Sequence, residues 1–167
     1  MGGVLPLVAT IAIQMRRMEG RAPVLTVVQV VSGAVTGVLL TMPLLVMAVA
    51  GFRPDRTPEL TVTLNDLAWL LFLTPIAPFM VQNVAIGIAV LRDPRQVFPR
   101  WVGYANLWIA VLFVPDVLAY FFFDGPFAWD GLFVFWLALA AYAAWLVIMP
   151  IAVRRALREQ QGGAADA

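Results

Sequence analysis

The chain contains no cysteine, no histidine and no lysine among its 167 residues. Each absence removes a chemistry. Without cysteine there are neither disulfides nor thiolate metal sites. Without histidine the usual general base, the commonest metal ligand and the usual haem ligand are missing. Without lysine Schiff-base catalysis is excluded, and all eleven basic residues are arginine. Charge of either sign is scarce, at 13% of residues with a net of +1, so no basic face is available for nucleic acid. Nothing in this residue set implies a cofactor or a metal.

What is present is apolar. Hydrophobic residues make up 62% of the chain and the mean hydropathy is +0.89, whereas soluble domains sit nearer about 45–50%. A water-soluble fold of this composition would expose too much apolar surface. Five apolar blocks, at 2–13, 24–52, 67–91, 101–123 and 131–153, are separated by short charged loops. The last four are long enough to cross a bilayer, and none shows the period-2 alternation of a barrel strand. The expected fold is therefore an all-α integral membrane protein, with residues 1–153 forming one transmembrane helical domain and 154–167 a short, polar, disordered tail. Twelve helical residues span only about 18 Å, so the first block, 2–13, reads as the inner half of a span whose beginning is missing. It lacks the positive n-region and the cleavage site of a signal peptide.

Arginine placement sets the expected orientation. Arg16, Arg17 and Arg21, then Arg92, Arg95 and Arg100, then Arg154, Arg155 and Arg158 fall on one side when the spans alternate. Only Arg53 and Arg56 fall on the other, beside Asp55, Glu59 and Asp66. The reading is a multi-pass protein of the cytoplasmic membrane with a cytoplasmic C-terminus. Trp101 and Tyr104 mark an inner boundary, Phe127 and Trp129 the outer loop, and the six tryptophans read as belt anchors and packing residues.

Several residues carry more than bulk. Gln29, Gly33, Gly37 and Thr41 follow one another at i+4 in the second block, with Gly33 and Gly37 forming GxxxG. Such a stripe serves either a homo-oligomer or partner interface or packing within the chain. In LTPIAPFMVQNV, Gln82 and Asn83 lie about 13 Å from the inner end of their span, near mid-membrane. Their amides either bind a polar ligand group or hold two helices together. Thr63-x-x-Asp66 fits a capping box, Asp124-Gly-Pro a turn, and Asp130 an N-cap. The spacing of Asp116, Asp124 and Asp130 resembles no cation loop, so metal binding is not expected.

Asp116 is the sharpest feature. It stands in VLFVPDVLAYFFF, about ten ångströms below the outer helix end, where an ionised group is expensive and tends to be functional. Tyr120 and Asp124 follow at i+4 and i+8. Pro43, Pro75 and Pro115 stand at a similar outer-third level in three different spans, with Thr41 and Thr74 nearby. Each proline interrupts a helical hydrogen-bond ladder. The layer predicts a polar pocket opening outward and containing Asp116, Tyr120, Thr41 and Thr74. The alternatives place Asp116 in a water-filled vestibule, bond it to a threonine or tryptophan donor, or end the helix at Val114 with Pro115 opening a short re-entrant turn.

The run FPRWVGYANLWIAVLFVPDVLAYFFFDGPFAWDG, read with QMRRMEGR and FRPDRTPEL, resembles a group of uncharacterised small multispan membrane proteins of mycobacteria and related actinobacteria. The shared elements are the RxEG loop, the FPRWxGY run and the GPFAWxG turn. The resemblance implies a helical membrane fold and an additional N-terminal helix, and carries over no functional residue. An enzyme is the least expected class, since intramembrane metalloproteases need histidines and aspartyl intramembrane proteases need a second aspartate in a GxGD setting. The expected function is an accessory or lipid- or small-molecule-binding membrane subunit, with the bilayer and a homo-oligomeric or membrane-protein partner. The alternative is a small proton- or cation-coupled transporter that uses Asp116.

Overall fold

A computed structural model describes residues 3–53, 55–122 and 124–165. Gly2, the expected end of the fourth block at Phe123, and the tail residues Asp166 and Ala167 lie outside the described residues. Among the described residues all regular structure is helical: α1 (Val4–Glu19), α2 (Val24–Leu39), α3 (Met42–Phe52), α4 (Pro58–Phe72), α5 (Ile76–Arg92), α6 (Arg100–Leu112) and α7 (Leu137–Ala165). A 3-10 helix, Val114–Tyr120, continues α6, and a π-helical turn, Leu132–Trp136, leads into α7. Taken with these continuations, four stretches are long and apolar enough to cross a membrane: Val24–Phe52, Pro58–Arg92, Arg100–Tyr120 and Leu132–Gly162.

Each of the first three stretches is broken where its proline stands. Pro43 lies in the first turn of α3, Pro75 is the N-cap of α5, and Pro115 opens the 3-10 helix. A proline lacks the amide that would continue the ladder, so the chain closes tighter turns there. The bonds from Thr41 N to Val38 O, Thr74 N to Leu71 O and Asp116 N to Phe113 O are all of the i→i−3 kind. The fourth stretch breaks differently, through the wide turn whose Leu137 amide reaches Leu132 O.

The helix boundaries correct the sequence reading in four places. α4 begins at Pro58, nine residues before the expected Leu67, because Thr57-Pro58-Glu59 supplies an extended N-cap, a proline in the first turn and an acid near the positive helix end. Thr63 and Asp66 therefore lie inside α4 and form no capping box; the Thr63 hydroxyl bonds the Glu59 carbonyl. α1 continues through Arg16 and Arg17 to Glu19, and α7 runs through the expected tail to Ala165. Asp130 makes no cap, since Gly131 precedes the π-turn and no side chain caps it.

α5 is the centre of the bundle, packed on α1, α2 and α6, while α3 lies on α4 and α7 on α6 and α1. Close approach and side-chain hydrogen bonds tie the helices of this bundle together. Gly87 and Gly103 provide the approach between α5 and α6: a Cβ on either would lie 3.1–3.2 Å from the other's carbonyl oxygen. Asn106 links α6 to α7, accepting from Trp145 Nε1 at 3.2 Å and donating to Val102 O at 2.8 Å. At the arginine-rich end, Arg95 donates to Arg17 O at 2.9 Å, joining the α5–α6 loop to α1. The Glu19 carboxylate accepts from the Leu25 and Thr26 amides and the Thr26 hydroxyl, capping α2 from the previous helix.

The distribution of polarity is inverted relative to a water-soluble protein. Gln14, Gln29, Gln82, Asn83, Asn106 and Asp116 are buried, while Val27, Val31, Leu45, Trp108, Phe121 and Val147 are exposed.

Candidate functional site

A crevice of about 100 Å³ lies where the breaks of all four long stretches converge. α2 contributes Thr36, α4 contributes Trp69 and Phe72, and α5 contributes Ile76 and Phe79. Phe113 and Asp116 come from the end of α6 and its 3-10 continuation, Trp129 from the outer turn, Phe135 from the π-turn, and Ala138 and Tyr142 from α7. The breaks create this convergence. A straight α4–α5 or α6 would carry regular packing through the level where Pro75 and Pro115 turn the chain, and π-turns recur at functional sites because they re-aim side chains.

The walls are aromatic. Trp69 and Trp129 lie with ring centroids 4.7 Å apart, and Phe135 meets Trp69 edge-on at 5.6 Å. Deeper, Phe79 contacts Phe113 at 5.0 Å and Tyr142 at 5.2 Å, both edge-to-face. Asp116 is the acid in this wall. Its side chain is 1% exposed, and its Oδ1 is buried without a hydrogen-bond partner among the described residues. An unpaired buried polar group costs about 1–3 kcal/mol, more when charged, so local stability does not account for an aspartate here.

The other residues expected in the pocket fall elsewhere. Tyr120 is 50% exposed and does not line the crevice. The i+4 count assumed an α-helix, but in a 3-10 helix with three residues per turn, i+4 is rotated by about 120°. Ala119, at i+3, takes the buried position instead, at 7% exposure. Thr41 is exposed and Thr74 half-buried; neither lines the crevice. Their hydroxyls bond Val38 O at 2.6 Å and Leu71 O at 2.7 Å, serving carbonyls at the helix breaks. The threonine at the crevice is Thr36, one α-helical turn before Leu40, with its hydroxyl on Ser32 O at 2.8 Å. Trp69 and Trp129, expected from the sequence as belt or packing residues, stand in the crevice wall; the sequence signal that points to Trp129 is its place in the GPFAWxG turn.

That turn is built for close approach. Gly125 has φ +88°, in the left-handed region that favours glycine. A Cβ at Gly131 would collide with the Pro126 carbonyl oxygen and lie 2.6 Å from its carbon. The tight turn holds Trp129 against Trp69.

The small-residue stripe lies away from the crevice. A Cβ on Gly33 would meet the Val8 side chain at 2.8 Å and Gln82 Nε2 at 3.0 Å, and one on Gly37 would meet Leu5 at 3.3 Å. Gly33 and Gly37 thus face α1 of the same chain. Gln29 Nε2 donates to Val8 O at 3.3 Å, and Asn83 Nδ2 to Phe79 O at 2.8 Å. Gln82 is buried in the same packed interface between α2 and α5, and none of these amides reaches the crevice. Among the described residues no group of three or more acidic side chains is placed to hold a metal ion. No protein-family model, curated protein or solved structure matches the chain.

Proposed function

We infer that the chain is a multi-pass protein of the cytoplasmic membrane that binds a lipid or small molecule in the crevice around Asp116. It acts as an accessory or ligand-binding subunit rather than as an enzyme. The membrane reading is supported by the inverted polarity, with amides inside and branched aliphatics outside, on four helical stretches of spanning length. The arginine bias supports a cytoplasmic C-terminus. The exposed apolar face of α2 and α3 is where lipid or a membrane partner packs.

The single observation that carries the binding reading is the unpartnered carboxylate in an aromatic crevice assembled from all four stretches. Pockets that bind small molecules are mostly apolar with few convergent polar groups. The test is thermal unfolding of the purified chain against fractions of extracted membrane lipids and metabolites. A fraction that raises the midpoint saturably for wild type, and not for the crevice-filling Ala138→Phe, identifies the ligand pool. If no fraction separates the two proteins, the binding reading fails.

A second reading, a small proton- or cation-coupled transporter, is favoured by the same carboxylate, because intramembrane acids often mark ion pathways. It requires two states that expose Asp116 to opposite sides. Flux in proteoliposomes that vanishes in Asp116→Asn supports it, and binding without flux excludes it.

A further inference from the structure

We propose that the crevice takes an amphiphilic organic cation, its ammonium group held between the Asp116 carboxylate and the surrounding aromatic faces. The proposal rests on the crevice being a ligand site and specifies what that ligand is.

Charge selects the sign of the ligand. Asp116 Oδ1 has no donor among the described residues, and no arginine of those residues lines the crevice. The aromatic walls add to the negative potential, because ring faces carry the negative lobe of the quadrupole and attract cations within about 6 Å. Trp69, Phe79, Phe113, Trp129, Phe135 and Tyr142 supply such rings. An anionic ligand would be repelled by the ionised carboxylate, and a neutral ligand without a donor would leave its oxygen unpaired. A tertiary ammonium can donate its N–H to the carboxylate and a quaternary one pairs with its charge, while both lie against the rings, and aromatic cages are a recurrent device for such groups.

Size and surroundings select the shape. On the measure by which a cavity of about 150 Å³ admits benzene, a crevice of about 100 Å³ holds a compact head group rather than a whole lipid. Leu139 and Trp129 line the crevice and are themselves exposed, so its mouth is apolar and suits an alkyl tail continuing outward along the helices. A compact cationic head with an apolar tail fits both ends.

The experiment titrates the purified chain in a neutral maltoside detergent with hexyltrimethylammonium, hexyl sulfate and 1-octanol, following tryptophan fluorescence. Saturable binding of the ammonium, tighter than the other two probes by about tenfold or more on the wild-type chain, is the expected result. Asp116→Asn weakens the ammonium by about tenfold or more and leaves octanol unchanged, while Ala138→Phe removes binding of all three. Octanol binding as tightly as the ammonium would overturn the cation assignment and leave the crevice as a ligand site. No saturable binding by any probe would overturn both. The comparison among probes on the wild-type chain needs no variant, so it stands even where a substitution fails to fold.

Discussion

Replacing Asp116 with leucine should make the protein more stable. Oδ1 of Asp116 is buried and has no partner, and the side chain is 1% exposed. Removing such a group relieves a penalty of about 1–3 kcal/mol. Leucine is bulkier than aspartate, but the extra carbon atoms have the crevice of about 100 Å³ to enter, so overpacking does not offset the gain. For a chain of this length each kcal/mol moves the midpoint by about 2–4 °C, giving an expected rise of roughly 2–12 °C. The assay is thermal unfolding followed by circular dichroism in maltoside detergent with no ligand added. Asp116→Asn should shift the midpoint less, because its amide brings donors that are equally unpaired. Stability gained with binding lost is the signature of a residue kept for function. A fall of the midpoint in Asp116→Leu would refute the reasoning, since it would mean that the carboxylate holds the 3-10 helix or a neighbouring helix in place.

Five further substitutions test the packing. Gly87→Ala should destabilise by about 1–3 kcal/mol, because its Cβ would lie 2.7 Å from Leu107 Cγ and 3.1 Å from the Gly103 carbonyl oxygen. Gly51→Ala, with open space around it in α3, should instead stabilise by about 0.5–1 kcal/mol; chemical denaturation of both variants checks the contrast. Gly131→Ala meets backbone atoms of Pro126 that cannot move aside, so it should spring the outer turn and shift Trp129 emission to the red, while a single-tryptophan variant with unchanged emission would contradict this. Glu19→Ala strips three hydrogen bonds from the start of α2 and should cost about 0.5–2 kcal/mol on the scale of a lost cap, read by hydrogen exchange at Leu25 and Thr26. Asn106→Leu breaks the bond from Trp145 between α6 and α7 and should cost about 0.6–1.7 kcal/mol, the range for interhelical polar contacts in membranes.

The spans and their broken points were legible because length, apolarity and proline act locally. Pro43, Pro75 and Pro115 stand at helix interruptions, as a missing amide demands. Asp116 was legible as an anomaly because charge in such a run is costly wherever the chain goes. The start of α4 was hidden by the polar stretch Pro58–Asp66, which looked like a loop although Thr57-Pro58-Glu59 carried the initiation signal. The rest of the site depended on helix phase. A break resets the angular count, so Tyr120 turned outward and Ala119 inward, and the threonines nearest the prolines turned back onto their own helices. Trp129 and Phe135 reach the crevice only through the turn that folds back at Gly131 and through the π-turn after it. No periodicity in the sequence announces either one.

Native mass spectrometry asks directly whether Asp116 stands in a ligand site. The chain is released from its own membrane without added lipid, as wild type and as Asp116→Asn. A bound species that stays with wild type and is missing from the variant is the expected result. Wild type and variant carrying the same associated masses, or none, would contradict it and make Asp116 a packing residue.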